Sequence, residues 1–475
     1  MTAKTEQFYI QQIAELQSQL QQRDKQITQL LNINAELAKK VEQLTEKVAK
    51  LSKNSSNSSK PPSSDIVKPS KTTKANSKKR NKGAQPGHPK YCRPAFNSDQ
   101  IDKIIEYYIE DKEAIGLIAL DEWEIIQQVI LPRKMFKVIE HRARKYIDPV
   151  TGTEYVAAIP DNISKGGLFG ASLTAMTAFM KGSCHMSYTT MQQFFREVMK
   201  LNVSRGMLCN AVKKVSKSLE PAYRQLATNL PSEYSVGIDE TGHKDNGNKH
   251  WTWCCQTPQY SFYHIDKSRG SDVLFELLGQ DFNGIIGCDY WGGYRKFSRL
   301  TNATVQYCMA HLIREIKFFA EQTDKKLSCW SSKLIDWLKL LFKAIHKRKK
   351  LSAKYFINET EKIKQGFLNT VRHPPNNKMA KKLSKRFNGK AAESYFLFLN
   401  EPNVEPTNNG TEREIRHTVI DRRITQGTRG QAGIQWCQRI WTTIATCKKQ
   451  NQNVFDFIHQ SLLADWKNNS YPSLL

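Results

Sequence analysis

No two of the ten cysteines stand in a CxxC pair; they are scattered from Cys92 to Cys447. That spacing excludes a zinc ribbon and a thioredoxin-like redox motif. Long apolar runs are lacking too, so no segment is built to span a bilayer and no membrane partner is implied. The N-terminus is polar and helix-forming, without the apolar stretch of a signal peptide. Together these absences predict a cytoplasmic protein with reduced thiols. Acidic charge is also scarce. Against 72 Lys and Arg stand 45 Asp and Glu, a formal net charge of +27. Such an imbalance says nothing about fold. It implies a polyanionic partner, nucleic acid before an acidic protein or an anionic membrane, because basic groups displace the counterions condensed on phosphates. At 475 residues the chain exceeds one typical domain, and several modules are expected.

The first module, residues 1–52, carries heptads. Tyr9, Leu16, Leu30, Leu37, Leu44 and Leu51 fill one seam position, and Ile13, Leu20, Ile27, Val41 and Val48 fill the other. Only Arg23 and Asn34 interrupt the apolar rule. Sustained 3-4 spacing predicts a coiled coil, and a single seam Asn favours a fixed-register parallel dimer. The alternative is one long helix packed on its own protein, but the outer positions are Gln, Lys and Glu and offer no second apolar face. Homodimerisation or higher assembly through residues 9–51 is therefore expected. Residues 53–91 change to Ser, Asn, Pro and Lys, with Asp65 the one acid. Such a segment cannot bury enough apolar surface to fold alone, and it reads as a disordered basic linker.

Residues 92–163 alternate short apolar, β-branched runs such as EIIQQVILP and TEYVAAIP, which predicts a small β-rich module. Residues 164–230 read as helical. Within them a helix, a turn and a second helix are expected, with Ser204 as N-cap and Lys213, Lys214 and Lys217 on the second helix. That pair is open to two readings, a DNA-binding unit or an ordinary helical hairpin. Residues 231–323 give three strands, a helix, then strand, helix, strand, the order of a ribonuclease H-like α/β sheet. Residues 324–403 form a basic, apolar helical insertion, and residues 404–475 return to the core as helices. The expected fold class is thus an α/β ribonuclease H-like catalytic core with a helical insertion. Before it come a coiled coil, a linker, a β-rich module and a helical module.

SVGIDE and NGIIGCD are apolar runs that each end in a carboxylate, Asp239 and Asp289. Ligands of α/β sheets collect at strand ends. If the two strands are neighbours, the carboxylates converge and repel unless a cation lies between them. Oxygen donors without a Cys or His pair nearby favour Mg²⁺ or Mn²⁺ over zinc. Two such ions roughly 3.5–4 Å apart suit phosphodiester chemistry. A third acid is needed, and Glu412 in TNNGTEREIR is the candidate; on a helix it shares a face with Asn408 and Arg416. Its rival Glu414 points about 160° away. Each acid also has a plainer reading: an Asp after a strand often caps a helix or forms a turn, and Glu412 is placed for an ion pair with Arg413 or Arg416.

The ordered motifs resemble those of the IS66 family of insertion-sequence transposases. They are a coiled coil, KNSSNSSKPPSSD (53–65), KGAQPGH (82–88), IDETG (238–242), CDYWGGY (288–294), CMAHLIRE (308–315), NNGTEREIR (408–416) and DRRITQGTRG (421–430). The resemblance implies a DDE transposase that cleaves DNA at element ends and transfers strands to target DNA. Position by position, the implied metal-binding and catalytic acids are Asp239, Asp289 and Glu412, with Mg²⁺ or Mn²⁺, two ions, as cofactor. Cys308 and His311 match a CxxH motif of such enzymes. Asn408, Asn409, Arg413, Arg416, Arg422 and Arg423 lie in the motifs as supporting or DNA-phosphate residues. Implied partners are terminal-repeat and target DNA and accessory proteins of the same element, in a bacterial, nucleoid-associated setting. Two departures stand out. Residues 92–163 hold Cys92 alone, so no zinc is expected where relatives carry a cysteine-paired module. Thr407 stands where the family's string usually has Asp. A decayed, dimeric DNA-binding protein and a nuclease without strand joining are the rival readings.

Overall fold

A computed structural model describes residues 3–51, 94–108, 123–132, 134–165 and 167–475. The linker at 53–91, its two motif strings and Cys92 lie outside the described residues, as do the seam side chains of Tyr9 and Leu51. The chain divides into two compact units. One gathers the described residues of 1–69, 160–191 and 204–475, and the other those of 70–159 and 192–203.

The heptad region forms a single helix, α1 (Ala3–Leu51). Its described apolar seam side chains are 52–65% exposed, from Leu37 to Val48. Among the described residues of the second unit the β-rich expectation is met by one antiparallel hairpin, β1 (Lys145–Ile147) with β2 (Glu154–Val156), turning at Gly152 with φ 69°. The runs around Ile104 and Ile126 are not strands among the described residues, and these side chains are 73% and 86% exposed. A β-branched run becomes a strand when a neighbour completes its ladder and covers one face, and here neither occurs.

The helical region comprises α2 (Asp161–Ser164), α3 (Ala171–Gly182), α4 (Tyr188–Glu197), α5 (Arg205–Ser218) and α6 (Glu220–Asn229). Ser204 caps α5 as expected, its hydroxyl accepting from the Met207 N–H. Two of the three α5 lysines are engaged inside the protein. Lys214 donates to the Lys165 carbonyl and lies over the Trp466 ring, and Lys217 pairs with Asp465 at 3.4 Å. α5 buries Leu208, Val212 and Val215.

The core follows the predicted element order. It consists of β3 (Ser235–Asp245), β4 (Asn248–Gln256), β5 (Ser261–Asp266), α7 (Asp272–Leu278), β6 (Ile285–Cys288), α8 (Gly292–Leu300) and β7 (Thr304–Tyr307). The sheet runs β5-β4-β3-β6-β7, antiparallel on the β5 side of β3 and parallel on the β6 side. The insertion holds α10 (Lys325–His346), α11 (Ala353–Arg372) and α12 (Lys378–Arg386), entered through α9 (Met309–Ala320). The chain returns as α13 (Asn409–Thr425), α14 (Gln431–Lys449) and α15 (Val454–Lys467).

Helix α13 lies along β3. Thr411, Ile415 and Thr418 form its buried line, and Arg422 extends that line to the Thr241 hydroxyl. Close approach is possible because position 237 is glycine. A Cβ there would meet Thr411 Oγ1 at 2.5 Å and Asn408 Oδ1 at 3.2 Å. Those atoms cannot simply turn aside, since Thr411 Oγ1 is bonded to Asn408 Oδ1 at 2.7 Å and to Gln256 Oε1 at 3.1 Å. Gly237→Ala is therefore expected to cost about 1–3 kcal/mol by overpacking. A lower melting temperature in thermal unfolding checks it, and a melt identical to the parent protein would refute the docking argument.

Candidate active site

The parallel register pairs Gly237 of β3 with Gly287 of β6. Two residues further along each chain, this register sets Asp239 level with Asp289. Asp289 follows the last residue of β6, as expected, but Asp239 does not end its strand. β3 continues to Asp245 because β4 keeps pairing with it, Asp239 opposite Cys254. The parallel pairing has already ended at Gly237, two residues before Asp239, since β6 turns off into the DYWGG loop. Side chains alternate along a strand, so Gly237, Asp239 and Thr241 share the α13 face and Glu240 takes the other.

Asp289 also fills the plainer turn-forming role weighed for it, whereas Asp239, in mid-strand, neither caps a helix nor forms a turn. Asp289 Oδ1 accepts the Trp291 N–H at 2.9 Å, and Asp239 Oδ1 accepts the Glu240 N–H at 2.9 Å. These bonds favour the charged forms, yet burial outweighs them. Asp239 is held well above the usual carboxylate range by burial, then by Glu240, with Asp289 and Glu412 adding to the effect. Asp289 is pushed up to about 6 by burial and Glu240. Glu412, which gives the smallest of these contributions, lies in the first turn of α13.

Glu412 is held from α9. The Arg314 guanidinium donates to Oε1 at 3.1 Å, and His311 Nε2 lies 3.7 Å from the same oxygen. The His311 ring is pushed down to about 4 by burial and then by Arg314, and its Nδ1 is buried without a hydrogen-bond partner. Cys308, the N-cap of α9, accepts the Asn408 N–H on Sγ at 3.1 Å, which ties the starts of α9 and α13 together. Glu414 lies elsewhere: its carboxylate is 3.5 Å from the Tyr263 hydroxyl, which donates to the Glu414 carbonyl at 3.0 Å.

The other expected site residues separate. Asn408 is buried and donates to the Ile238 carbonyl at 2.9 Å, so it pins α13 to β3 and does not share an open face with Glu412. The N-cap of α13 is Asn408 itself, one residue after Thr407. Asn409, Arg413, Arg416 and Arg423 are exposed, and Arg422 is half-buried.

Sequence reasoning passed over Glu240. Its side chain is 2% exposed, with Oε1 held by Arg269 at 2.6 Å and Oε2 accepting the Tyr294 hydroxyl at 2.5 Å. The Arg269 guanidinium lies between the Trp251 and Trp291 rings, 4.8 and 4.9 Å from their centroids. The signal was available: two adjacent acids in IDETG and a loop of aromatics after the second Asp. Alternation assigns the two acids to opposite faces, so one of them needs a cation of its own.

Among the described residues, two sets of three donor atoms lie within 4.8 Å of one another, Cys308–His311–Glu412 and His264–Asp266–Glu276. The triad of Asp239, Asp289 and Glu412 is not one of these sets. The first set offers zinc-type donors, but Arg314 already sets a positive charge against its carboxylate. For a hard cation the fit lies at the aspartates, where burial and neighbouring carboxylates outweigh the Trp291 N–H and Arg269 at Asp289.

A family model described as Transposase IS66 family matches residues 166–435. A second, described as a family of unknown function (DUF6444), matches residues 2–94. No curated protein matches the chain.

The aspartates fix a pH signature. Asp289 moves from 3.8 to about 6 on folding, so between those values the folded state binds more protons than the unfolded one. Its contribution to stability therefore falls as pH rises from about 4 through 6. A divalent cation bound by the ionised acids offsets that loss. Expected in thermal unfolding is a rise in melting temperature with Mg²⁺ or Mn²⁺ at pH 7.5 that disappears at pH 5. Asp289→Asn should melt higher than the parent protein without metal and lose most of the metal effect. Equal metal shifts at both pH values would sink this account.

Proposed function

The chain belongs to the IS66 family of transposases, and on that premise we propose that it cleaves DNA at element ends and joins the freed strands to target DNA, using Asp239, Asp289 and Glu412. The observation that supports this reading is the register that puts Asp239 and Asp289 each two residues past the last parallel pair, with Glu412 acting on Asp239 from α13. The strand order, with three antiparallel strands followed by two parallel additions, supports a ribonuclease H-like core.

Asp239 and Asp289, with Glu412, would hold Mg²⁺ or Mn²⁺, which when bound polarises a phosphodiester and lowers the pKa of an attacking water or hydroxyl. The protein's own groups prepare that site. Burial keeps the acids out of bulk water. Glu240 and Arg269 fix the strand from behind, and Arg314 orients Glu412. The surplus of 72 basic over 45 acidic residues supplies sequence-independent attraction to DNA. The exposed seam of α1 supports pairing of two protomers as a parallel coiled coil, which would bring two element ends together. No described helix is long and apolar enough to cross a membrane. Action on nucleoid DNA in the cytoplasm, with accessory proteins of the same element, completes the reading.

One observation favours a second reading. Glu412 is ion-paired with Arg314, and the three acids are not drawn into one tight donor set. A dimeric DNA-binding protein that has lost cleavage would look the same.

Purified protein with Mg²⁺ and end-bearing DNA separates the readings. Glu412→Gln should lower cleavage and joining on the order of 100-fold or more, while Glu414→Gln stays near the parent rate. Full activity in Glu412→Gln removes the triad assignment. Inactivity of the parent protein, with DNA binding intact, selects the second reading, and nicking without joined products identifies a nuclease. For assembly, the full-length chain should sediment as a dimer or larger, and Leu30→Asp with Leu37→Asp should yield monomers. A parent protein that is monomeric at tens of micromolar rules out the coiled-coil pairing.

A further inference from the structure

The far end of β3 is built unlike the rest of the sheet. The β3–β4 hairpin turns through Asn246 and Gly247, both left-handed at φ 49° and 81°, the signature of a tight two-residue turn. The loop between α13 and α14 returns to that turn and is fastened to it. Thr428 N–H donates to the Lys244 carbonyl at 2.9 Å, and Asn246 N–H donates to the Thr428 carbonyl at 3.0 Å. Asp245 Oδ1 accepts both the Thr428 hydroxyl and the Gly430 N–H at 2.7 Å. Gly427, at φ 100°, lies so close that a Cβ would stand 2.1 Å from the Lys244 carbonyl oxygen. The loop and hairpin are therefore one rigid floor.

Over this floor lies a cavity of about 990 Å³, lined among others by Lys244, Lys249, Arg422 and Arg429 and by no acidic residue. Asp245, the nearest acid in sequence, spends its carboxylate on the floor. Its pKa is held below the usual range by the Thr428 hydroxyl and the Gly430 N–H, which outweigh burial. Among the described residues none of the four cations makes an ion pair. Their contacts are neutral: Lys249 lies over the Trp251 ring at 4.8 Å, Arg422 donates to Thr241 Oγ1 at 3.3 Å, and Arg429 donates to the Thr428 carbonyl at 3.2 Å. Arg422 is half-buried, and burial and Arg423 both lower its pKa with no acid to offset them. Four cations around one cavity repel one another unless an anion lies among them.

The cavity begins at Gly242, three residues along β3 from Asp239. At the rise of a strand that is on the order of 10 Å. A strand with duplex-like stacking rises about 3.4 Å per nucleotide, so about three such nucleotides span the gap. A lone phosphate would leave most of the cavity empty.

We propose that this cavity is a phosphate-binding subsite for a single DNA strand, about three nucleotides from the phosphate attacked at Asp239 and Asp289. The proposal rests on the reading of those acids as the catalytic centre. It adds a track for the flanking strand, set by the hairpin and the α13–α14 loop.

The test is read in EDTA, where no cleavage occurs, with full-length protein and a labelled single-stranded oligonucleotide. Affinity is measured by fluorescence anisotropy across a salt series. Lys244, Lys249 and Arg429 are exposed, so the triple alanine variant is expected to keep the parent melting temperature. Its slope of log affinity against log salt should become shallower by about 2, from about 0.7 per phosphate contact on single strands. A control triple of Arg224→Ala, Lys448→Ala and Lys467→Ala should change the slope by less than half of that. An unchanged slope, or an equal change in the control, overturns the proposal. Inorganic phosphate at matched ionic strength should not raise the parent melting temperature. If it does so in the parent alone while the slopes agree, the cavity takes a free anion and the strand assignment is wrong. Cleavage by Glu412→Gln in the earlier assay would remove the catalytic reading without touching the slope, so the two failures are distinguishable.

Discussion

Negative charge crowded into a place with little water governs the centre of this protein. Asp239 and Asp289 lie just past the last parallel pair of β3 with β6, burial penalises the ionised form of both, and Glu240 acts on both while Glu412 acts on Asp239. Much of the surrounding chemistry answers that penalty. Arg269 and Tyr294 compensate Glu240, Arg314 compensates Glu412, and backbone N–H groups donate to both aspartates. What is left uncompensated is mainly the burial of Asp239 and Asp289, whose ionised forms a divalent cation would favour. Removing one acid from such a cluster and removing its cation should have opposite effects on the metal-free fold, because one relieves repulsion and the other exposes it.

Helix α13 connects this cluster to the rest of the molecule. Its start is pinned through Asn408 to the backbone of β3 and through the Asn408 N–H to Cys308 at the start of α9. Its end is tied through Arg422 to Thr241 and through the following loop to Asp245. One helix thus runs beside one strand for most of its length, with an acid near one end and cations near the other. That polarity gives the enzyme reading a direction: chemistry at Glu412 and strand tracking toward Arg429.

The linear pattern carried a great deal. Heptads gave α1, the apolar runs gave the five strands in order, and the serine at 204 capped α5 as its position required. These features are local, set by periodicity and by single side chains on their own backbone. Where burial depends on a neighbour, pattern alone misled. The β-branched runs near Ile104 and Ile126 form no strands among the described residues. Of the two readings left open for α5, the ordinary helical hairpin fits two of its lysines, which are spent on Lys165 and Asp465. Asn408 shares a helical face with Glu412 by spacing, yet its amide is consumed by the Ile238 carbonyl.

By itself the sequence determined the basic character and the order of the core elements, and through its motifs it nominated the three acids, since each is written in composition, spacing or motif. Only tertiary structure decided that Asp239 lies in the middle of its strand, because β4 goes on pairing after β6 has turned away. It also decided that Glu240 needs Arg269, that Arg314 meets Glu412 from another helix, and that Lys244, Lys249, Arg422 and Arg429 surround one cavity. Those residues are far apart in the chain, and electrostatic cost depends on distance and burial in space, which no local period encodes.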